Sequence, residues 1–270
     1  MAVFNCHFQP RTLGMSTTFR MIIPMYTLPS ETDQTRLKEY YSQLSKLPVL
    51  WLLHGGGGYS SEWLYNSAIQ LYAEKYHCAV IMPDAQSSLY TNMEYGPRWE
   101  DHIAMALPEY IYKNFPISSA REDNYIAGMS MGGYGALRIA LKYPEQYCAV
   151  AAMASAVGLP LRYAENKLSD DFDAVMHAVL GDKDAISGSD YDLYSLVDQY
   201  CKQENKLKLY LCAGRNDHTY EDNIELRDYL TKIDVKYTWV ENDDAHTWDS
   251  WNTYLPQVME WMFNHKKEKE

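Results

Sequence analysis

Short apolar runs alternate with longer amphipathic segments along the chain from Leu47 onward. The short runs are typical of buried strands, and the longer segments place apolar residues every three or four positions, as amphipathic helices do. Repeated strand–helix units predict an α/β fold built on a mainly parallel, doubly wound sheet. The predicted strands are 48–53, 78–82, 124–127, 147–153, 208–212 and 235–240. The predicted connecting helices are 63–76, 99–114, 131–143, 221–232 and 248–264.

The first part of the chain has a different pattern. Segments 3–9 and 18–23 flank the turn Leu13-Gly14-Met15. This arrangement predicts an antiparallel hairpin that extends one edge of the sheet. No linker-like composition divides the chain, so we expect a single domain over residues 1–270.

A long connection interrupts the strand–helix alternation between Ser155 and Asn205. It contains a helical piece at 172–180 and a turn-rich stretch at 181–190. Long connections at the carboxyl edge of a parallel sheet commonly cover a ligand site. We therefore expect a lid-like insertion over about residues 155–206, with a surface excursion of no functional role as the alternative.

Charge and hydropathy exclude several classes of partner. Lys and Arg number 24 against 36 Asp and Glu, so the formal net charge is −12. Such a charge repels phosphate backbones, and we expect no nucleic-acid partner. No apolar stretch approaches the roughly 20 residues of a membrane span, and the chain does not open on a basic cluster followed by an apolar segment. We expect no membrane partner and a cytoplasmic location; a homo-oligomer is left open.

The five cysteines are widely spaced and form no C-x-x-C pair. Neither a disulfide framework nor a zinc site is indicated by such spacing. Most of them lie in apolar, strand-like runs, which predicts buried thiols in a reducing compartment.

The most specific motif is Gly128-Met129-Ser130-Met131-Gly132, between a predicted strand and a predicted helix. It matches G-x-S-x-G, the nucleophile elbow. A serine in a sharp strand-to-helix turn needs small neighbours two residues away on each side, and glycine avoids the collision. Ser130 is therefore the candidate nucleophile. A glycine-rich helix start that packs closely on the sheet is the structural alternative.

A serine hydroxyl needs a histidine base, and the histidine needs an acid that orients it. In hydrolases with this elbow the chain order is Ser, Asp or Glu, His. Asp217 follows predicted strand 208–212, and His246 follows predicted strand 235–240. We interpret these two residues as the acid and the base.

Other ionisable side chains lie near these two in sequence. His218 is interpreted as a loop or rim residue, because a direct neighbour of Asp217 cannot easily turn back to it and also reach the serine. Asp222, Asp243 and Asp244 are the alternative carboxylates. A metal site at Asp243, Asp244 and His246 is disfavoured because it lacks H-E-x-x-H spacing and an evident distant ligand. We expect no metal and no cofactor.

Two backbone amides are candidates for stabilising an oxyanion. One belongs to Met131, which directly follows the serine at a helix N-terminus. The other belongs to Gly56, in the run His54-Gly55-Gly56-Gly57-Gly58 after a predicted strand. This run lacks the order and the lysine of a phosphate-binding loop. A purely structural turn is the alternative.

Several motifs together resemble the esterase D type of α/β-hydrolase, most of all its tributyrin esterase branch. They are H-G-G-G-G, Y-G-P-R-W, G-M-S-M-G-G-Y-G-A-L, C-A-G-R-N-D and D-A-H-T-W. Feruloyl and acetylxylan esterases of the first carbohydrate-esterase family are related. The resemblance implies an α/β-hydrolase fold, Ser130, Asp217 and His246 as the triad, and Gly56 with Met131 as the oxyanion hole.

The chain departs from that branch at two positions. Gly56 stands where a bulkier residue is common, and Ala245 precedes His246 where glycine is common, so the acyl pocket is expected to differ. The G-Y-D-H-S-Y-Y pattern of S-formylglutathione hydrolases is absent, which counts against that substrate.

These features predict a serine carboxylesterase that hydrolyses short-chain acyl esters of small-molecule or oligosaccharide substrates. A feruloyl or acetylxylan esterase acting on plant polysaccharide fragments is the main alternative. An acyltransferase and a non-catalytic binding module are further ones. Tyr59, Trp63 and Tyr95 lie near the predicted mouth of the site and are hypothesised pocket residues, with core or surface packing as the alternative.

Overall fold

The computed structural model of the protein describes residues 1–24 and 46–264. Within these two ranges, eight strands form one sheet in the order β1-β2-β4-β3-β5-β6-β7-β8. The strands are β1 (Ala2–Phe8), β2 (Thr17–Ile23), β3 (Val49–Leu53), β4 (Ala79–Pro83), β5 (Asn124–Met129), β6 (Ala149–Met153), β7 (Lys208–Gly214) and β8 (Thr238–Asn242). β1 and β2 pair antiparallel with each other, β2 pairs antiparallel with β4, and the other pairs are parallel. The predicted parallel sheet with an antiparallel N-terminal edge is confirmed.

Helices cover both faces of the sheet. They are α1 (Glu62–Asn66), α2 (Ile69–Lys75), α3 (Trp99–Asp101), α4 (Leu107–Asn114), α5 (Met131–Lys142), α6 (Leu159–Ala164), α7 (Asp170–Leu180), α8 (Leu193–Tyr200), α9 (Tyr220–Lys232) and α10 (Trp248–Phe263). A π-helical segment, His102–Ala106, joins α3 to α4. No helix in the described ranges is both long enough and apolar enough to span a bilayer.

The central strands are buried on both faces, which explains their continuous apolar sequence. In β3, Trp51 packs with the core on one face of the sheet, which includes residues of α5 and α9. Leu50 and Leu52 point to the opposite face and pack with residues of α1, α2 and α10. Successive side chains of one strand point to opposite faces of the sheet, so β3 contributes residues to two separate hydrophobic cores.

The helix predicted over 63–76 is wrong as a single element. The chain leaves α1 at Ser67, whose backbone is extended (φ −139°, ψ 171°). The Ser67 hydroxyl donates to the Trp63 carbonyl and accepts from the Ile69 N–H, which replaces helical bonds across the break. Local hydrogen bonding of this kind by serine competes with a continuous helix.

The connection between β6 and β7 contains three helices, α6, α7 and α8, of which the sequence indicated only α7. Asp190 fixes this connection to the body of the protein, because its carboxylate pairs with Arg138 of α5 at 3.0 Å. Arg138 is 1% exposed and pairs with Glu100 of α3 at 2.6 Å. Burial raises the pKa of Glu100, but the nearby Arg138 charge and hydrogen bonds from Lys142, Tyr143 and Arg138 outweigh it and hold that pKa below its usual value.

The cysteines differ in exposure. Cys78 and Cys212 are buried, Cys6 and Cys148 are half-buried, and Cys201 is exposed. The expectation that most of the thiols are buried is therefore confirmed for Cys78 and Cys212 only, and the exposed Cys201 lies outside the sheet, directly after α8.

His102 is buried in an aromatic environment at the start of the π-helical segment. It is 1% exposed, and its ring lies 5.4 Å from that of Phe8 and 6.1 Å from that of Trp99. Within the described residues its Nδ1 has no hydrogen-bond partner. Burial lowers the pKa of His102 from 6.5 to about 4, because the charged imidazolium would lose its hydration there.

This shift predicts acid sensitivity. Between pH 6.5 and about 4 the unfolded chain binds a proton at His102 that the folded chain excludes, so the stabilisation is present above that window and is lost as the pH falls through it. The free energy of unfolding should decrease by about 2 kcal/mol between pH 7.5 and pH 5 from this residue alone. Urea unfolding of wild type and His102→Phe at both pH values measures it. Identical pH dependence in the two proteins would contradict the assignment.

Candidate active site

Ser130 occupies a strained turn between β5 and α5. Its backbone has φ 53° and ψ −120°, a conformation that non-glycine residues rarely adopt. The Ser130 N–H donates to the Met153 carbonyl of the neighbouring strand at 2.9 Å. The Ser130 carbonyl accepts from the N–H groups of Gly133, Tyr134 and Ala156. These bonds fix the turn and leave the side chain at the carboxyl edge of the sheet.

Two glycines of the motif make this turn sterically feasible. A Cβ atom at Gly128 would lie 2.2 Å from the Gly132 carbonyl oxygen. A Cβ atom at Gly132 would lie 2.5 Å from the Leu53 carbonyl oxygen and 2.6 Å from that of His54. The contacting atoms are backbone atoms of packed elements, so neither position tolerates a side chain without displacement.

His246 joins Ser130 to Asp217. Its Nε2 lies 2.9 Å from Ser130 Oγ, and its Nδ1 lies 2.7 Å from Asp217 Oδ2. With Nδ1–H donating to the carboxylate, Nε2 is free to accept the serine proton. The structure therefore brings together the three side chains that the sequence singled out.

Asp217 is held in a turn directly after β7. Its N–H donates to the Gly214 carbonyl at 3.0 Å, and its Oδ1 accepts from both the N–H and the hydroxyl of Thr219 at 2.8 Å. Burial raises the pKa of Asp217, but the hydrogen bonds from His246 and Thr219 outweigh it and hold that pKa below its usual value. The carboxylate is therefore ionised at neutral pH and holds the imidazole by a charge-assisted bond.

Aromatic rings surround the His246 imidazole. The ring of Trp251, from α10, lies 5.1 Å away, and the ring of His218 lies 4.4 Å away. Thr219 and Trp251 were not among the predicted site residues. An aspartate side chain often accepts a hydrogen bond from the backbone N–H two residues later, so the position of Thr219 could have been read from Asp217. No local pattern in the sequence indicates Trp251.

The glycine loop after β3 lies beside Ser130. Gly56 and Met131 both line the pocket that contains Ser130, and a Cβ atom at Gly56 would lie 3.9 Å from Met131 Cβ. The Met131 N–H begins α5, where no intrahelical acceptor exists. The buried His54 ring supports the loop, because its Nε2 accepts from the Ala85 N–H at 3.1 Å. The glycine loop and the first residue of α5 thus lie side by side at the serine.

The pocket around Ser130 has a volume of about 520 Å³. One side of its wall comes from the connection between β6 and β7: Leu159, Arg162, Leu168, Phe172, Val175 and Met176. His218, Thr219 and Asp222 form another side. Arg162 pairs with Asp222 at 2.6 Å, which places an ion pair in the wall of the pocket.

The three hypothesised pocket aromatics lie elsewhere. Trp63 is 1% exposed in the core beneath the sheet, where Nε1–H donates to the Leu53 carbonyl at 2.9 Å and the ring packs on Trp248. Tyr95 lines a separate cavity beside His177, and Tyr59 is 56% exposed outside the pocket lining. The hypothesis that these three aromatic residues line the pocket is therefore wrong. Side-chain direction, and not proximity in sequence, decides which residues face the pocket.

The alternative ionisable residues also have clear positions. His218 has a side chain that is 71% exposed at the pocket rim, with Nδ1 3.8 Å from Asp217 Oδ1. Asp243 has a side chain that is 81% exposed and pairs with Arg215 at 2.8 Å. Asp244 accepts from Asn242 at 2.6 Å. The disfavoured set of Asp243, Asp244 and His246 is therefore not assembled.

A different group could hold a metal ion among the described residues. The candidate ligand atoms of Asp217, His218 and His246 lie within 4.8 Å of one another. Asp217 and His246 are already hydrogen-bonded to each other, and His246 is also bonded to Ser130. Two of these three residues, Asp217 and His246, are thus joined with Ser130 in one hydrogen-bonded chain, an arrangement suited to acyl transfer through a serine.

A mostly parallel sheet with a serine in a strained turn after a central strand defines an α/β-hydrolase. Residues 32–262 match the family model described as Esterase, so the chain belongs to the Esterase family and is a carboxylic ester hydrolase. It is 30% identical to an acetyl esterase of Caldicellulosiruptor saccharolyticus, over 97% of this chain and 98% of the relative.

Two solved structures from Staphylococcus aureus are similar over nearly their whole length. FphF, a fluorophosphonate-binding serine hydrolase, has a TM-score of 0.84 at 28% identity, covering 97% of this chain and 98% of its own. The S-formylglutathione hydrolase FrmB has a TM-score of 0.82 at 29% identity, with the same coverage. These similarities confirm the expected α/β-hydrolase fold.

The elbow geometry predicts that Gly132→Ala destabilises the protein. The added methyl group would meet two backbone oxygens, so we expect the free energy of unfolding to fall by about 3 kcal/mol or more. Gly56→Ala is the control, because its methyl group meets only Met131 Cβ at ordinary contact distance. Urea unfolding monitored by fluorescence measures the free energy of unfolding of the two variants and of wild type. A Gly132→Ala protein as stable as the control would contradict the steric argument.

Proposed function

We propose that this protein is a serine carboxylesterase that hydrolyses short-chain acyl esters through an acyl-enzyme. Ser130 is the nucleophile, His246 the general base and acid, and Asp217 the residue that orients the imidazole. The single observation that carries the proposal is the hydrogen-bonded chain from Ser130 Oγ through His246 to Asp217, with bonds of 2.9 and 2.7 Å. Each member sits in the chemical environment that its role requires.

In the first half of the reaction, Ser130 Oγ attacks the ester carbonyl while His246 Nε2 takes its proton. The resulting tetrahedral intermediate collapses, the bond to the alcohol oxygen breaks, and His246 returns the proton to the leaving alcohol. In the second half, His246 removes a proton from water, which attacks the acyl-Ser130 ester. Collapse releases the carboxylic acid, and His246 returns the proton to Ser130 Oγ.

The N–H groups of Gly56 and Met131 donate to the oxyanion that forms in both halves. Proximity of these two residues at the pocket wall beside Ser130 supports this assignment. The Met131 amide lies at the positive end of the α5 dipole, which favours negative charge on the bound oxygen. Donors fixed in the backbone need little reorganisation during the reaction.

The pocket wall near His246 supports a second substrate class. His246 protonates the alcohol, so His218, Thr219 and Asp222 line the alcohol side. The carboxylate of Asp222 and its Arg162 partner can exchange hydrogen bonds with several hydroxyl groups. This polar wall favours esters of polyhydroxy alcohols, as in acetylated or feruloylated plant polysaccharide fragments, as the alternative substrates.

Loss of the nucleophile should eliminate catalysis. We expect Ser130→Ala and His246→Ala each to lower kcat for p-nitrophenyl acetate by roughly 10⁴-fold or more with substrate binding largely retained. Asp217→Asn should have a smaller but still large effect, because the imidazole loses its charged partner. Steady-state kinetics measure kcat for each variant. His7→Ala serves as the control, because His7 lies in the edge strand β1 and is not one of the proposed site residues. Retained activity in Ser130→Ala would refute the proposal.

Substrate preference separates the candidate activities. We expect kcat/KM for p-nitrophenyl acetate and butyrate to exceed that for methyl ferulate and S-formylglutathione by at least about tenfold. A short alkyl chain can pack on the apolar wall of Leu159, Leu168 and Met176, whereas a formyl group has no alkyl carbon to bury there and a feruloyl group brings a phenolic hydroxyl against it. A parallel assay of the four substrates measures it. A preference for methyl ferulate or for S-formylglutathione would replace the short-chain assignment with that activity.

A further inference from the structure

The sheet gives His246 less support than it gives Ser130. β8, the strand before His246, lies at one edge of the sheet, and all five of its residues are only half-buried. β5, the strand before Ser130, is central and buried along its whole length. A displacement of a reacting group by about an ångström can lower a rate by about two orders of magnitude. Contacts from outside the sheet are therefore important for holding the proposed base in place.

A series of aromatic contacts leads away from the His246 ring. The Trp251 ring lies 5.1 Å from the rings of both His246 and Trp248, measured between centroids. The Trp248 ring in turn lies 5.2 Å from that of Trp63. The interplanar angles are 84°, 85° and 86°, so each ring meets the next edge to face, a geometry that the electrostatics of aromatic rings favour. We name Trp63, Trp248 and Trp251 the tryptophan ladder.

The far end of the tryptophan ladder supports the glycine loop. The Trp63 Nε1–H donates to the Leu53 carbonyl at 2.9 Å. Leu53 is the last residue of β3 and directly precedes His54, the first residue of the run that contains Gly56. The same carbonyl faces the start of α5, because a Cβ atom at Gly132 would lie 2.5 Å from its oxygen. The ladder therefore extends from the proposed base to the strand end that carries the glycine loop.

The two helices that carry the ladder are also joined by a hydrogen bond. Trp248 begins α10, Trp251 follows about one turn later, and Trp63 lies in α1. The side-chain amide of Asn252 in α10 donates to the carbonyl of Asn66, the last residue of α1, at 2.8 Å. The ring contacts and this bond connect the same two helices. A shift of α10 would therefore displace both His246 and the contacts of α1 with β3.

We propose that the tryptophan ladder holds the general base and the glycine loop in a fixed relative position, so that Trp248 and Trp251 are positioning residues of the reaction. The inference rests on the proposed function, because it takes His246 to be the base and the Gly56 N–H to be an oxyanion donor. Trp251 acts by direct contact with the imidazole. Trp248 acts through its neighbours, since its ring contacts join Trp251 to Trp63.

Substitution of the middle ring tests the inference. Trp248→Leu should lower kcat/KM for p-nitrophenyl acetate, which reports attack by Ser130, about tenfold. Trp248→Phe keeps an aromatic contact and should retain at least about half of the wild-type value. Trp261→Leu is the matched control, because Trp261 lies in the same helix, is also half-buried, and packs on Tyr210 at 5.3 Å instead of on the ladder. It should change kcat/KM less than about twofold.

A spectroscopic measurement separates positioning of the base from a general loss of stability. The His246 Nδ1–H that donates to Asp217 should give a downfield signal in the proton NMR spectrum of wild type, Trp248→Phe and Trp261→Leu. In Trp248→Leu, the signal should broaden through faster exchange with water, because a loosely held imidazole leaves the carboxylate more often. Urea unfolding verifies that each variant is folded in the assay. A tenfold loss of activity with an unchanged signal would overturn the positioning of the base.

A double variant tests whether the ladder acts as one unit. Trp63→Phe removes the hydrogen bond to the Leu53 carbonyl and should lower kcat/KM about threefold. The loss in Trp63→Phe/Trp248→Leu should be clearly smaller than the product of the two single losses, because both changes interrupt the same series of contacts.

The outcomes distinguish this inference from the proposed function. An unchanged kcat/KM in Trp248→Leu, or a double-variant loss equal to the product, would overturn the ladder while wild-type hydrolysis leaves the esterase intact. Equal losses in Trp248→Leu and Trp261→Leu would also overturn it, because the effect would then not depend on contact with the ladder. Hydrolysis retained in Ser130→Ala would overturn the proposed function and this inference together.

Discussion

The hydrogen bond between Ser130 Oγ and His246 Nε2 is the interaction on which the account of this protein depends. It joins residues 116 positions apart at 2.9 Å. The two residues meet because β5 and β8 run parallel in one sheet, so the loops that follow them emerge at the same edge. Asp217 reaches the same point from the end of β7. The fold therefore supplies the alignment of the three groups before any substrate binds.

That alignment requires a strained backbone at Ser130, and the surrounding packing maintains it. The positive φ angle at Ser130 persists because Gly128 and Gly132 permit close backbone contacts and because the Ser130 carbonyl accepts three N–H groups. The same turn places Met131 directly after the serine, at the first position of α5. One local conformation thus accounts for both the strain at Ser130 and the position of its side chain.

Specificity is built separately from the hydrogen-bonded chain. The sheet and its loops provide the serine, the histidine and the aspartate, whereas α6 and α7 of the connection between β6 and β7 provide five of the side chains that line the pocket. The ion pair of Arg162 with Asp222 adds two charged groups to this wall. Changes in these helices can therefore alter the substrate without changing the reacting groups.

The sequence predicted the sheet and the three converging side chains because each rests on a strong regularity. Parallel strands are buried on both faces and read as apolar runs, and loops after them share one edge. The pocket wall was not predictable in this way. Trp63 lies near the glycine loop in sequence, yet its side chain points beneath the sheet to Trp248, and the helical pattern across Ser67 did not reveal the break. Side-chain direction and tertiary contacts decide such positions.

The most direct measurement is peptide mapping by mass spectrometry after reaction with a fluorophosphonate ester. The account predicts a single covalent adduct on Ser130, formed with loss of fluoride, and a much slower reaction in His246→Ala because the serine loses its base. An adduct on a different residue, or equal labelling rates in wild type and His246→Ala, would contradict the central claim that Ser130 is activated by His246.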